Sequence, residues 1–275
     1  MSGISGFVSR VAKEPPFRLL ARAALSKMNV SLETRSTWGL SPRPNYLLCL
    51  YTAAKQAMQQ GVAEISAIEF GVAGGDGLVA LQSEAEAVER GTGVRIKVYG
   101  FDNGGGLPVL IGDHRDHPDA WLPGDFPMDI PRLKSRLKER TTLILGNVKE
   151  TVPSFFEKFK APPIGFISVD VDLYSSTRDA LQILGLADKK MLWHVPMYFD
   201  DVSDIFNHRF AGELLAIDEF NESHSGVKID RWHGVRAGRP FPEHAYLDRL
   251  YVAHDLDSIS VANLKRDTEM LPLKV

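Results

Sequence analysis

The chain has 275 residues, of which 44% are hydrophobic and 24% charged, and its formal net charge is −3. This size predicts one large domain or a domain with an appendage. The small net charge gives no reason to expect a nucleic acid or an anionic membrane as partner, and no apolar run approaches the ~20 residues of a membrane span. The single cysteine, Cys49, excludes a disulfide within the chain and is expected to be a buried thiol. With no signal-peptide pattern at the N-terminus, we expect a reduced, cytoplasmic protein.

Strand and helix patterns alternate along the first half of the chain. The apolar run at 67–72 predicts a strand, and the periodic segment 78–90, closed by Gly91, predicts a helix. A second strand is expected at 95–101, and a loop rich in Gly, Pro, Asp and His follows it up to about Met128. The patterns then predict helix, strand, helix and strand at 130–140, 142–146, 152–160 and 164–170.

The second half continues the alternation. Ser176 and Asp179 are spaced as a capping box, which predicts a helix running through Ala180 to Leu186. The later patterns predict a fifth strand, a long amphipathic helix and a late strand at 190–199, 205–222 and 245–254. Because strands and helices alternate five times, we expect a parallel sheet with helices on both faces.

Acidic residues stand at the carboxyl ends of the predicted strands, which is where ligands bind in such sheets. Asp170 and Asp172 come at the end of the fourth strand, and Asp200 and Asp201 follow the fifth. A single aspartate at a strand end is more often a capping or solvated side chain. Two pairs at neighbouring strand ends weaken that interpretation and favour a ligand site.

The first two strands end in acids that precede glycine-rich turns. Glu69 precedes GVAGGDG at 71–77, and Asp102 precedes NGGGLP at 103–108. Glycines let a backbone approach a ligand closely, and an acid after the second strand usually accepts hydrogen bonds from ribose hydroxyls. The spacing is not the G-x-G-x-x-G of a dinucleotide site. The pattern therefore indicates a nucleoside-type ligand.

Several short motifs give the chain a resemblance to a known family. IEFGVAGGDG resembles motif I of class I S-adenosylmethionine-dependent methyltransferases. FDNGGGLP, LILGNVKETVP, VDVDLYSSTRDAL, and FDDV with the later GELLAIDEF resemble segments of the macrocin O-methyltransferase (TylF-type) family, in the same order and spacing. The resemblance covers about residues 66–222. The sequence departs from the family pattern at Val171 and Val202.

The resemblance implies a fold, a domain division and an activity. The fold would be the doubly wound, Rossmann-like α/β fold of class I methyltransferases, with a seven-stranded, mostly parallel sheet. Residues 1–44 would form an N-terminal helical appendage that contributes to a lid or to contacts in a homo-oligomer, and residues 45–275 would form the methyltransferase domain. The activity would be magnesium-dependent O-methylation of a hydroxylated small molecule, a sugar or another vicinal diol on a natural product.

The resemblance also implies roles for individual residues. Asp170, Asp200 and Asp201 would bind Mg²⁺, and Asp172 would be the general base. Hard oxygen ligands suit Mg²⁺, and a carboxylate can serve as base once a metal has made the acceptor hydroxyl more acidic. The residues expected around S-adenosyl-L-methionine are Glu69, Gly71, Val72, Ala73, Gly74, Gly75, Asp102, Asn103, Gly146, Asn147 and Asp170.

Different residues of this set are expected beside the methionine, the ribose and the adenine of the cofactor. Glu69 and the glycine turn would line the methionine end, and Asp102 would accept hydrogen bonds from the ribose hydroxyls. Gly146 and Asn147 would lie by the adenine, although Asn147 taken alone is just as consistent with a turn residue.

Two other functions stay open on the sequence alone. The D-V-D at 170–172 is also the D-x-D that binds a metal and a nucleotide sugar in glycosyltransferases, but that hypothesis leaves Glu69 and Asp102 unexplained. A non-catalytic binding protein with this fold would be expected to lack a metal or base carboxylate, and none is missing. Elsewhere, His194 is expected to be a core histidine, and the segment 113–121 is expected to be a solvated lid or substrate loop.

Overall fold

The structure, a computed structural model, describes residues 16–186 and 189–262. Seven strands form one sheet in the order β3-β2-β1-β4-β5-β7-β6. Strands β1 to β5 run parallel, and β7 is antiparallel to both β5 and β6. The strands are β1 (Glu64–Phe70), β2 (Arg95–Asp102), β3 (Thr141–Leu145), β4 (Ile164–Val169), β5 (His194–Phe199), β6 (Val227–Arg231) and β7 (Leu250–Asp255). The predicted Rossmann-like α/β fold with a mostly parallel sheet is therefore confirmed.

Helices flank this sheet and join its parallel strands. They are α1 (Pro16–Leu25), α2 (Leu32–Trp38), α3 (Pro44–Gln59), α4 (Asp76–Thr92), α5 (Ile130–Lys134), α6 (Val148–Thr151), α7 (Phe155–Phe159), α8 (Tyr174–Leu181), α9 (Gly212–Ser223) and α10 (Leu256–Ser260). Short 3₁₀ turns lie at His114–Asp116, Gln182–Leu184 and Ala245–Arg249. Within the described part of the chain, no helix combines the length and the apolar character needed to cross a bilayer.

The central strands are apolar throughout because neighbouring elements cover both of their faces. Every residue of β4 is buried, and so is every residue of β1 after Glu64. Alternate side chains of a strand point to opposite faces, so burial on both faces produces an uninterrupted apolar run rather than an alternating pattern. This is why the sequence patterns of these strands are so clear.

Helix α3 completes the core next to β4 and β5. Its side chains Tyr46, Leu47 and Leu50 are buried, as is Cys49, in agreement with the predicted buried thiol. The helix begins at Pro44, which is also the end of the predicted appendage, and α1 and α2 precede it. Residues 1–15 of that appendage lie outside the described residues.

Two predicted helices are much shorter than their apolar spacing indicated. The segment 130–140 is helical only over α5, because Gln82 of α4 binds the backbone beyond it: its amide donates to the Arg136 carbonyl and its carbonyl accepts from the Lys138 N–H. The segment 205–222 is helical only from Gly212, whose φ of 57° is left-handed. Both predictions were wrong because a tertiary contact or a backbone conformation overrides the local periodicity.

Other differences lie at the ends of elements. The predicted capping box is wrong, since α8 begins before Ser176, and the start of this helix is bound by Asp116 from a distant loop. The strand predicted at 245–254 is a 3₁₀ turn followed by β7. The sequence patterns did not predict β6. His194 is half-buried rather than a core histidine, and its Nδ1 lies 2.8 Å from Nδ1 of His254.

The helix after the first strand extends beyond its predicted end. It continues past Gly91 to Thr92, and the left-handed Gly93, with a φ of 78°, is its C-cap. The predicted helix at 152–160 is present only as α7, and the fifth strand begins at His194 rather than at Lys190. Element ends depend on single residues, whereas the apolar runs that define element type extend over many.

Substitution of Gly71 tests the close approach of β1 and β4. Gly71 has a φ of 82°, and a Cβ there would lie 1.7 Å from the Asp170 carbonyl oxygen. Gly93 has a similar φ of 78°, with nothing within 4 Å of such a Cβ. We expect Gly93→Ala to cost about 1–2 kcal/mol of unfolding free energy from the left-handed backbone alone, and Gly71→Ala to cost about 1–3 kcal/mol more from the overlap. Urea denaturation measures both, and equal losses would contradict the close approach.

Candidate active site

One cleft at the carboxyl edge of the sheet collects the predicted site residues. Its volume is about 720 Å³, which lies in the range of small-molecule sites. The cleft lies over the ends of β1, β2, β3, β4 and β5. The predicted residues that line it are Glu69, Gly71, Val72, Ala73, Gly74, Gly75, Asp102, Asn103, Gly146, Asn147, Asp170, Asp172, Asp200 and Asp201. The structure therefore brings the whole predicted set to one place, and the role of each residue remains a prediction.

The glycine turn after β1 is held by a carboxylate from β2. Asp102 Oδ2 accepts the backbone N–H groups of Val72 and Ala73, both at 2.9 Å, and its Oδ1 accepts the N–H of Gly104 at 2.6 Å. Ala73 and Gly75 have positive φ values, so the turn has a tightly curved backbone. Asp102 thus shapes the cleft wall, while Oδ1 keeps lone-pair capacity for a ligand donor.

Glu69 is a buried carboxyl at the end of β1. The Tyr46 hydroxyl donates to its Oε1 at 2.8 Å, and its Oε2 is buried with no hydrogen-bond partner among the described residues. Burial, opposed in part by the Tyr46 hydrogen bond, raises the pKa of Glu69 to about 8. Gly77 in the first turn of α4 leaves space for this carboxyl, because a Cβ there would lie 2.1 Å from Oε1. Glu69 therefore borders the cleft with an unused acceptor.

Three carboxylates form a compact cluster at the ends of β4 and β5. Asp170, Asp172 and Asp201 each place one oxygen within 4.8 Å of the others. Burial first, and then repulsion from neighbouring carboxylates, raises the pKa of each to about 7. Asp172 has a left-handed φ of 61°, a strained conformation for a residue with a side chain. Strain at such a position is a common property of functional sites.

Asp200 does not join this cluster, although it was predicted to ligate a metal with Asp170 and Asp201. Its Oδ1 accepts hydrogen bonds from Arg249 and from the Tyr198 hydroxyl, each at 2.5 Å. Asp172, predicted as the base, takes the third place instead. The reason is Arg249, a cation more than forty residues later in the chain, whose pairing with Asp200 could not be seen in the motif.

Glu213 is a buried acid beneath the cluster that sequence reasoning missed. It is fully buried at the start of α9, and its Oε2 accepts the Asp201 backbone N–H at 3.0 Å. Its Oε1 has no partner among the described residues, and burial together with the nearby aspartates raises its pKa. A signal was present: Glu213 precedes Ala216, Ile217 and Phe220 at the spacing of one buried helix face.

The chemistry of these oxygens fits a divalent cation. The cluster consists of hard carboxylate donors, and Asp201 Oδ2 is buried without a hydrogen bond within the described chain. Unpaired buried carboxylates are costly unless a cation neutralises them. Mg²⁺ prefers oxygen ligands of this kind, so the residues present suit the ion that the motifs imply.

The outer wall of the cleft is aromatic and comes from two loops. The Trp121 ring centroid lies 5.9 Å from that of Phe126 and 6.0 Å from that of Phe206, all three lining the cleft. The segment 113–121 is anchored rather than solvated throughout. Asp116 is fully buried and accepts the Ser175 N–H and hydroxyl at 2.8 and 2.9 Å. The loop is therefore held over the cleft through the start of α8.

Comparisons with known proteins find similarity to solved structures. No protein-family model matches the chain. A search of curated proteins finds no match. The crystal structure of CalS11, a calicheamicin methyltransferase, is similar over 87% of this chain and 91% of that chain, with a TM-score of 0.50 and 19% identity. The O-methyltransferase NovP has a TM-score of 0.48 at 19% identity, over 65% of this chain and 72% of its own. At this identity, the likeness to CalS11 shows a shared fold alone.

The cluster predicts a pH-dependent stability that a cation should reverse. Because the pKa of Asp170, Asp172 and Asp201 is raised on folding, the folded state holds more protons, so stability falls as pH rises through about 7. In EDTA we expect a lower melting temperature at pH 8.5 than at pH 6.5. Mg²⁺ should raise it, and more at pH 8.5, because protons no longer compete for the oxygens.

Two variants separate the cluster from general charge effects. Asp201→Asn should reduce both the pH effect and the Mg²⁺ effect on the melting temperature. Asp257→Asn, in an exposed residue of α10 outside the cleft lining, should change neither. A Mg²⁺ response that is identical in wild type and Asp201→Asn would argue against a cation at this cluster.

Proposed function

We propose that this protein is a magnesium-dependent O-methyltransferase that moves a methyl group from S-adenosyl-L-methionine to a hydroxyl of a sugar or another vicinal diol. The observation that carries the proposal is the shared cleft. A nucleoside-type wall, with Glu69, the glycine turn and Asp102, lies in the same cleft as the carboxylate cluster. The fold shared with a calicheamicin methyltransferase is consistent with this chemistry. Residues 45–275 would be the catalytic domain, and residues 1–44 would be an appendage to it.

The cofactor would lie along the ends of β1, β2 and β3. Glu69, with its unused Oε2, would accept a donor at the methionine end, and Asp102 Oδ1 would accept from a ribose hydroxyl. Asn147 is the N-cap of α6, where its side chain accepts the Lys149 N–H, so the turn-residue interpretation holds for its side-chain oxygen. Its place in the cleft wall beside Gly146 still supports a contact with the adenine.

Three carboxylates would bind the cation, and a fourth would accept the proton of the acceptor hydroxyl. We assign Asp170 and Asp201 to Mg²⁺, with Asp200 as a third ligand through its Oδ2, since the hydrogen bonds from Arg249 and Tyr198 go to Oδ1. When bound, Mg²⁺ would supply positive charge and make a neighbouring acceptor hydroxyl more acidic. Asp172, whose carboxyl has a pKa raised to about 7 mainly by burial, would take the hydroxyl proton on a side-chain oxygen. A base with a pKa near the working pH is the most effective one.

The remaining contribution of the chain is to position the reactants and exclude water. Glu213 holds the backbone at Asp201 in place, and Arg249 holds Asp200. Trp121, Phe126 and Phe206 give the entrance an apolar wall against which a bulky acceptor can lie. Positioning of two bound reactants is itself a large source of rate enhancement. The acceptor would be a small hydroxylated molecule, and the net charge of −3 gives no support for nucleic acid.

The glycosyltransferase hypothesis accounts for less of the cleft. A nucleotide sugar would use the D-x-D at 170–172, but Glu69 and the turn held by Asp102 would have no function. A non-catalytic protein would have no need for the strained, buried Asp172. Methyl transfer gives each of these features a role.

Ligand binding tests the cofactor. S-adenosylhomocysteine should bind the wild type with micromolar affinity, about −8 kcal/mol, in titration calorimetry. Asp102→Ala should weaken binding by roughly 1–3 kcal/mol, since ribose hydroxyls lose an acceptor. A nucleotide sugar serves as the control ligand and should give no heat. Binding of the nucleotide sugar without S-adenosylhomocysteine would exclude the methyltransferase proposal.

A paired comparison tests the division among the carboxylates. Asp172→Asn should leave Mg²⁺ affinity nearly unchanged while lowering the rate by ~10²–10⁴, the usual contribution of a positioned base. Asp170→Asn, Asp200→Asn and Asp201→Asn should instead weaken Mg²⁺ binding, so that excess Mg²⁺ restores part of the rate. If Asp172→Asn weakens Mg²⁺ binding and Asp200→Asn does not, Asp172 is the third ligand. Full activity in EDTA would show that the reaction needs no metal.

A further inference from the structure

We propose that Arg43 binds the α-carboxylate of the methionine moiety of S-adenosyl-L-methionine. This inference rests on the proposed function and adds a residue that lies outside the motifs of residues 66–222. Arg43 belongs to the segment SPRPNY, within the predicted N-terminal appendage. It lines the cleft together with the glycine turn.

A chain of contacts places Arg43 at the methionine end of the cleft. Its guanidinium carbon lies 5.6 Å from the centroid of the Tyr46 ring. The Tyr46 hydroxyl donates to Glu69, and Glu69 Oε1 lies against Gly77 in the first turn of α4. Arg43 is therefore close to the end of β1 and to the start of α4, where the first backbone N–H groups of a helix have no acceptor within it.

The backbone of Arg43 is held rigidly. The residue lies between Pro42 and Pro44, and each proline has a fixed φ. The Arg43 N–H donates to Ser41 Oγ, and the Ser41 hydroxyl in turn donates to Glu84 on α4 at 2.6 Å. The Arg43 carbonyl accepts N–H groups from the first turn of α3. The side chain thus projects from a base fixed to the same helix that borders the site, which reduces the entropy lost on binding.

Arg43 is available to a ligand, whereas neighbouring arginines are not. Arg178 lines the cleft but is paired with Asp179, and Arg249 is paired with Asp200. Lys149 lies at the far side, after β3. Within residues 16–186 and 189–262, the Arg43 guanidinium makes no hydrogen bond or ion pair.

The ligand itself calls for a cation at this place. The amino-acid end of the cofactor carries an ammonium and a carboxylate. The acids Glu69 and Asp170 suit the ammonium but repel the carboxylate, and Glu69 Oε2 is buried without a partner among the described groups. Arg43 lines the same cleft as both acids, so its positive charge lies on the same ligand surface. A planar guanidinium is the side chain best matched to a carboxylate, because it can donate two parallel hydrogen bonds.

A ligand that lacks only the carboxylate tests this contact. S-adenosyl-3-thiopropylamine keeps the nucleoside, the thioether and the ammonium of S-adenosylhomocysteine. By titration calorimetry, Arg43→Gln should raise the dissociation constant of S-adenosylhomocysteine by about 10- to 100-fold, while that of the decarboxylated ligand should change by less than about twofold. Arg43→Lys keeps the charge and should show a smaller loss, again for S-adenosylhomocysteine only. The matched control Arg90→Gln, in an exposed residue of α4 outside the cleft lining, should bind both ligands as the wild type does.

The outcomes distinguish this inference from the proposed function. If Arg43→Gln or Arg43→Lys binds S-adenosylhomocysteine as tightly as the wild type, or weakens both ligands equally, Arg43 does not bind the carboxylate. If the wild type binds neither ligand, the cofactor assignment fails and the inference fails with it. Melting temperatures of the variants show that each is folded, and Arg43→Lys provides the comparison if the glutamine variant is unstable.

Discussion

Negative charge that the described residues leave largely unpaired is the constraint on which this site depends. Asp170, Asp172 and Asp201 share a small volume, with Glu213 buried beneath them and Glu69 alongside. A buried carboxylate normally has a cationic partner, because desolvation of an unpaired charge is costly. The nearby Arg249 is already committed to Asp200. Protonation or a bound cation would recover part of the free energy that burial of these carboxylates costs.

The parallel sheet is what gathers these groups. Consecutive parallel strands end at the same edge, so acids far apart in sequence become neighbours. Gly71 then brings the turn after β1 against the Asp170 carbonyl, and Asp102 fixes the same turn from β2. The backbone of the glycine turn and that of the carboxylate cluster are therefore in direct contact.

The sequence predicted what is local and missed what is tertiary. Strands β1 and β4 were clear because both of their faces are buried, and Glu69, Asp102 and Asp170 could be placed because they follow directly from strand ends. The shortened helix α5 could not be foreseen, since it depends on Gln82 of another helix. Likewise, the start of α8 is bound by Asp116, which lies 59 residues away in sequence. Such contacts do not affect the spacing of hydrophobic residues along the chain, so they cannot be predicted from it. Glu213 is the exception, because an acid on an otherwise apolar helix face could have been recognised as buried.

The raised pKa values near 7 link the chemistry of the cluster to its stability. A proton and a divalent cation would compete for the same carboxylate oxygens. A cation bound at these oxygens would displace protons from them, so its affinity would depend on pH. The same burial that makes these carboxylates costly therefore makes them sensitive to added positive charge. An acid cluster fully paired with arginines would be more stable, but it would have no free carboxylate to accept a proton.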